Sequence, residues 1–111
     1  MSVAITPTAA NQLVYTCLAD EGIAGDSITY DTDTTNGTWS TLTRLATADA
    51  TATNNQCVAG QYKVVTAPGA QTWNATITSR DWAAIAVVFN PPPRPPRPQV
   101  HMQAVNRASS W

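Results

Sequence analysis

Residues 71–78 read Gln-Thr-Trp-Asn-Ala-Thr-Ile-Thr, and within them Trp73, Ala75 and Ile77 alternate with Thr72, Asn74 and Thr76. A period of two puts the apolar residues on one face and the polar ones on the other, the pattern of a half-buried strand. Just upstream, Pro68-Gly69 suits the centre of a type II turn. Before that turn, residues 56–66 predict another strand, with Val58, Tyr62 and Val64 on one face and Gln61 and Lys63 on the other, and with a bulge at Gly60. Downstream, residues 82–89 (WAAIAVVF) carry much alanine, but their short length, β-branched end and immediate proline stop predict a buried strand rather than a helix.

Toward the N-terminus, residues 12–19 (QLVYTCLA), 27–30 (SITY) and 38–46 (TWSTLTRLA) read as further strands, and residues 3–6 as one more. Asn36-Gly37 readily adopts the positive φ angles of a tight turn, so residues 27–46 predict a β-hairpin. Composition agrees: 17 Thr and 18 Ala stand beside a single Glu and a single Lys, which removes the long polar residues that cover exposed helix faces. The expected fold is all-β, an antiparallel β-sandwich of jelly-roll or immunoglobulin-like type with about seven strands. With 111 residues, 43% of them hydrophobic, the chain has room for one core, assigned to residues 1–90.

Residues 91–111 form a second region, opening Pro91-Pro92-Pro93-Arg94-Pro95-Pro96-Arg97-Pro98. Proline fixes φ and removes backbone donors, so this stretch predicts an extended polyproline II arm. Beyond it Val100, Met102, Val105 and Trp111 are too few to fold alone and enough to dock on a partner. Charge divides at the same place: up to Asp81 seven acids against Arg44, Lys63 and Arg80 leave −4, whereas Arg94, Arg97 and Arg107 make the remainder +3. A basic arm on an acidic body is suited to an acidic surface on a neighbouring copy or another protein. Pro-Pro-Arg-Pro-Pro-Arg-Pro also resembles ligands of SH3 domains, although an arm laid across a neighbouring subunit is the expected use.

Residues 1–10 have neither a basic n-region nor an apolar h-region, so synthesis in a cytosol without a secretory signal is expected, and the sequons at Asn36 and Asn74 then carry little weight. No apolar stretch reaches membrane-spanning length. Cys17 and Cys57 are expected as reduced thiols.

Catalytic and metal chemistry find little to stand on. The sole histidine, His101, lies in the arm, so a Ser-His or Cys-His pair in the core is not expected. Asp26, Asp31 and Asp33 are close enough in sequence for paired-carboxylate chemistry, yet they fall in turn-rich segments where Asp accepts backbone hydrogen bonds. The run 31–37 has calcium-loop character, but its glycine is one place late and Leu42 stands where a bidentate Glu would be needed. No cofactor, metal or enzymatic activity is expected. Of the four tryptophans, Trp39 and Trp73 are the candidates for stacking on a glycan, against the alternative that both are core.

Asn11-Gln12-Leu13-Val14-Tyr15, Ser27-Ile28-Thr29-Tyr30, the run from Gln61 to Gly69 and Arg80-Asp81-Trp82-Ala83-Ala84 leading to Val88-Phe89 together resemble a β-sandwich domain of virion-associated proteins of tailed bacteriophages and of bacterial surface proteins. The resemblance covers residues 11–90 and carries structural residues only. It implies a decoration, fibre or adhesion module, and for a short chain with a proline-rich arm a capsid cement or decoration protein, assembled in the bacterial cytoplasm and located in the virion. The major capsid protein or other virion subunits are then the expected partners, with the protein itself a homo-oligomer, a trimer by preference. Neither nucleic acid nor membrane is expected as a partner. The alternative is a carbohydrate-binding or adhesion module of a phage tail or bacterial surface.

Overall fold

A computed structural model describes residues 1–23, 25–47 and 55–97. The described residues are all-β, with no helix, and form antiparallel sheets consistent with a β-sandwich. The strands are β1 (Val3–Ile5), β2 (Leu13–Asp20), β3 (Ile28–Thr29), β4 (Thr43–Ala46), β5 (Cys57–Val64), β6 (Gln71–Trp73), β7 (Thr76–Ile77) and β8 (Trp82–Phe89). A four-stranded sheet runs in the order β4-β5-β2-β8, and two small sheets pair β1 with β6 and β3 with β7.

The large sheet is regular because its three long strands match in length. β2 pairs residue for residue with β5 from Leu13↔Val64 to Asp20↔Cys57, and with β8 from Leu13↔Phe89 to Asp20↔Trp82. Between this sheet and the small ones Val14, Leu18, Trp39, Ala59, Val65, Trp73 and Ala75 form the core, with Val3, Ile5, Ile28 and Ile77 packed against it. Ala59 and Ala75 leave room for the two indoles, so large and small side chains interdigitate.

Four local expectations are corrected. Residues 71–78 are two strands rather than one: the N–H of Asn74 leaves the ladder to donate to Asp31 Oδ2 at 2.7 Å, and β6 and β7 pair with different partners. Residues 27–46 do not close a hairpin, since β3 pairs with β7 and β4 with β5. Gly60 is no bulge; it stands in continuous register with Thr43 on one side and Cys17 on the other. Pro68-Gly69 is a bend in which the Gly69 N–H donates to the Pro7 carbonyl.

The positive φ angles expected at Asn36 and Gly37 are present, at 56° and 104°, but serve another purpose. Asn36 Oδ1 accepts from the N–H groups of Thr66 and Ala67 and from the Thr66 hydroxyl, while its Nδ2 donates to the Ala67 carbonyl. The turn thus clamps the chain where it leaves β5, satisfying backbone groups that no strand pairs.

Candidate functional site

The two faces of the large sheet differ in a way that sets up the candidate site. Alternation along β5 separates Val58, Tyr62 and Val64 from Gln61 and Lys63, as the sequence predicts, yet it is Gln61 and Lys63 that are buried. Burial of polar side chains is tolerable only when their hydrogen bonds are made. Gln61 makes all four: Oε1 accepts from the Asp31 N–H at 2.8 Å and from Trp73 Nε1 at 2.7 Å, and Nε2 donates to the carbonyls of Asp31 at 3.1 Å and Ser40 at 2.6 Å. Lys63 Nζ donates to the Thr35 carbonyl at 3.1 Å, lies 3.8 Å from Asp33 Oδ2 and sits over the Trp39 ring at 4.6 Å. Burial pushes the Lys63 ammonium below its ordinary value, against the opposing pull of Asp33 and Asp31.

The carboxylates singled out in the sequence are occupied structurally. Asp31 Oδ1 accepts from the Asp33 N–H and Asp33 Oδ1 from the Thr35 N–H, so both organise the turn. Asp26 takes a bidentate pair of bonds from Arg80, at 2.6 and 2.9 Å, which holds its carboxyl below the usual range. Among the described residues no group of three or more His, Cys, Asp or Glu could hold a metal ion. No helix there is long and apolar enough to cross a membrane.

Trp39 and Trp73, the glycan-stacking candidates, are both buried, at 6% and 1% exposure. The rings the sequence offered for stacking are therefore core. Trp82, not singled out from the sequence, is instead half-exposed at the end of β8. It borders an open depression of about 670 Å³ whose lining includes Asp20, Glu21, Gln56 and Asp81. Asp20 is buried beside this depression, its Oδ1 makes no hydrogen bond among the described residues, and burial raises its carboxyl above the ordinary value.

The outward face of the large sheet is uncharged from end to end. Register defines four rows across it: Val64-Leu13-Phe89, Tyr62-Tyr15-Val87, Thr43-Gly60-Cys17-Ile85 and Leu45-Val58-Ala19-Ala83. None of these positions is charged, and eight large side chains on them are exposed, from 38% at Val87 to 75% at Leu45. Counting a large side chain as roughly 200 Å² of surface, this patch amounts to on the order of 800 Å², more than the largest apolar patch of a typical monomer. Tyr15 leans over Gly60, and beside it lies a dent of about 110 Å³ bordered by Tyr15, Cys17, Leu45 and Val58. Cys17 lies on this face and Cys57 on the buried one, and both are free thiols.

From Phe89, at the edge of this face, the chain passes Asn90, whose side chain accepts from Gln12 Nε2 at 2.6 Å, and continues as residues 91–97. Pro91, Pro92, Pro93, Arg94, Pro95, Pro96 and Arg97 are exposed and belong to no strand. Pro98, Val100, His101, Met102, Val105 and Trp111 lie outside the described residues. The chain matches no protein-family model, no curated protein and no solved structure.

Proposed function

We propose that this chain is a non-enzymatic structural subunit of a bacteriophage particle, of the capsid cement or decoration type, with a jelly-roll or immunoglobulin-like sandwich as its body and residues 91–111 as a docking arm. The observation that carries the reading is the uncharged outward face of the β4-β5-β2-β8 sheet, a surface suited to protein contact rather than to water. The exposed arm adds a second contact: Arg94 and Arg97 set on proline-rich backbone approach an acidic surface at little entropic cost. Many weak contacts of this kind, repeated over a shell, hold through avidity. The major capsid protein and further copies of this chain are the partners, and the virion is the location. Co-sedimentation with candidate phage capsids tests the reading. Binding that weakens when Arg94 and Arg97 are both replaced by Ala supports it; no binding to any capsid overturns it.

A second reading, a carbohydrate-binding or adhesion module of a phage tail or bacterial surface, is favoured by one observation, the half-exposed Trp82 beside Asp81 and Gln56 in an open depression. An indole face with carboxylate and amide groups at its rim suits a sugar ring. Quenching or shift of tryptophan fluorescence by a glycan, lost in Trp82→Ala, is the result this reading requires.

A further inference from the structure

We infer that the outward face of the large sheet is covered by the same face of a second copy of this chain, giving a twofold dimer in solution. The inference uses the same face as the phage reading and gives it to a second copy, which leaves contact with a particle to the arm, and its test needs no particle.

Four observations lead to it. The first is the polarity of the sheet: Thr16, Gln61 and Lys63 share the inner face with Val14, Leu18 and Ala59, while the outer rows carry no charge at all. An uncharged outer face that carries Tyr, Val, Leu, Ile and Phe is unsuited to remain in water. The second is size. On the order of 800 Å² on one partner is what a standard protein interface buries per side.

The third is the chemistry of the occupant. With no charge on the face, a charged partner surface would lose hydration without gaining a counter-ion. The described part of the arm, with Arg94 and Arg97, is a poor match for this face; a second uncharged sheet is a good one. Two twisted sheets packed face to face about 10 Å apart form the interior of an ordinary sandwich.

The fourth is symmetry. The four strands lie side by side, β4 and β5 on one side of the sheet's midline and β2 and β8 on the other, with Leu45 and Ile85 exposed on the two edge strands. A twofold axis midway between β5 and β2, between two facing sheets, lays β4 of each copy over β8 of the other, so that Leu45 meets Ala83 and all four strands are covered. The same surface serves both copies by the same operation, as an isologous interface requires. Because that pairing uses up this face on both copies, it closes at two rather than at the trimer expected from sequence.

Sedimentation velocity of the full chain over about 1 to 100 µM tests the proposal, with Ile85→Lys and Leu45→Lys as variants. Both side chains are exposed, on β8 and β4, so neither substitution enters the core. The expected result is twice the monomer mass for the unaltered chain, with dimerisation weakened at least about 100-fold in each variant, because a lysine would be buried without a partner. Far-UV circular dichroism should stay unchanged, while melting falls only by the stabilisation that dimerisation supplied. Should a variant fail to fold, Cys17 decides on the unaltered chain: its alkylation by N-ethylmaleimide, read by intact mass, slows as the dimer forms. A monomer at every concentration, a trimer, a dimer indifferent to both variants, or Cys17 alkylation independent of concentration overturns the inference. An edge-to-edge pair through β8 would be indifferent to Leu45→Lys and is excluded or revealed by the same data.

Discussion

The indole N–H of Trp73 on β6 donates to Oε1 of Gln61 on β5 at 2.7 Å, tying a small sheet to the large one through the middle of the core. The same oxygen accepts the Asp31 N–H, so removing the amide leaves a buried indole N–H and a buried backbone N–H unpaired together. Gln61→Leu is therefore expected to destabilise by about 2 to 4 kcal/mol despite its hydrophobic gain. Trp73→Phe orphans nothing, because Gln61 keeps its other three bonds, and costs less through lost volume. Denaturant titration of both variants should rank them in that order; equal losses would mean that packing, not the amide, sets the cost.

This amide also marks where the sequence stops being legible. Period-two alternation in residues 56–66 separates the faces correctly, but periodicity does not say which face is inside, and hydrophobicity points the wrong way. What decides is the partner set of Gln61, assembled from Asp31, Ser40 and Trp73, which are distant in sequence. The long strands β2, β5 and β8 are readable as strands because each carries an unbroken apolar or alternating run, although β8, expected to be buried, has no buried residue. The split between β6 and β7 is not, since it depends on Asp31 drawing Asn74 out of the ladder. The outward face is likewise hidden, for only the register aligns Tyr15 with Tyr62 and Val87.

Asn36 gives a prediction about the turn. Its side chain serves the N–H groups of Thr66 and Ala67 and the Ala67 carbonyl, so Asn36→Ala should cost about 1 to 2 kcal/mol, in the manner of a lost helix cap. Gly37→Ala should cost more. Its φ of 104° disfavours any side chain, and an added Cβ would run into the Val64 carbonyl. Thermal melting that leaves Gly37→Ala as stable as the unaltered chain would contradict this account of the turn.

Lys63 is charged, buried and held by one carbonyl, one carboxylate and one ring. Replacing a buried ion by an apolar side chain of similar length is often neutral, so Lys63→Met is expected to fall within about 1 kcal/mol of the unaltered chain at pH 7. The pH trend is the sharper test. A folded-state value below 10.5 means that the unfolded chain binds the proton more tightly, so the unaltered protein gains stability as pH rises from the folded value toward 10.5. Relative to Lys63→Met, its stability should climb across that alkaline window. A flat difference would mean that Thr35, Asp33 and Trp39 fully offset the desolvation.

Asp20 gives the opposite dependence at the acid end. Burial raises its carboxyl above 3.8, with Asp26 adding to the rise and Arg44 and Arg80 opposing it, so the folded chain binds this proton more tightly than the unfolded one. Stability is then lost as pH rises from 3.8 through the folded value, and at neutral pH the ionised side chain costs the protein free energy. Asp20→Asn removes the charge while keeping the shape, and is expected to stabilise by about 1 kcal/mol at pH 7, the size of one relieved unsatisfied group. The advantage should shrink on acidification and vanish below 3.8, where Asp20 is neutral in both states. Asp26 moves the other way, because its bond to Arg80 is lost as pH falls through its lowered value; being common to both proteins, it enters the difference only through its coulombic coupling to Asp20. Urea titrations of the pair from pH 3 to 8 therefore isolate Asp20, and an advantage that grew toward acid would show its carboxylate to be held by the two arginines rather than penalised by burial.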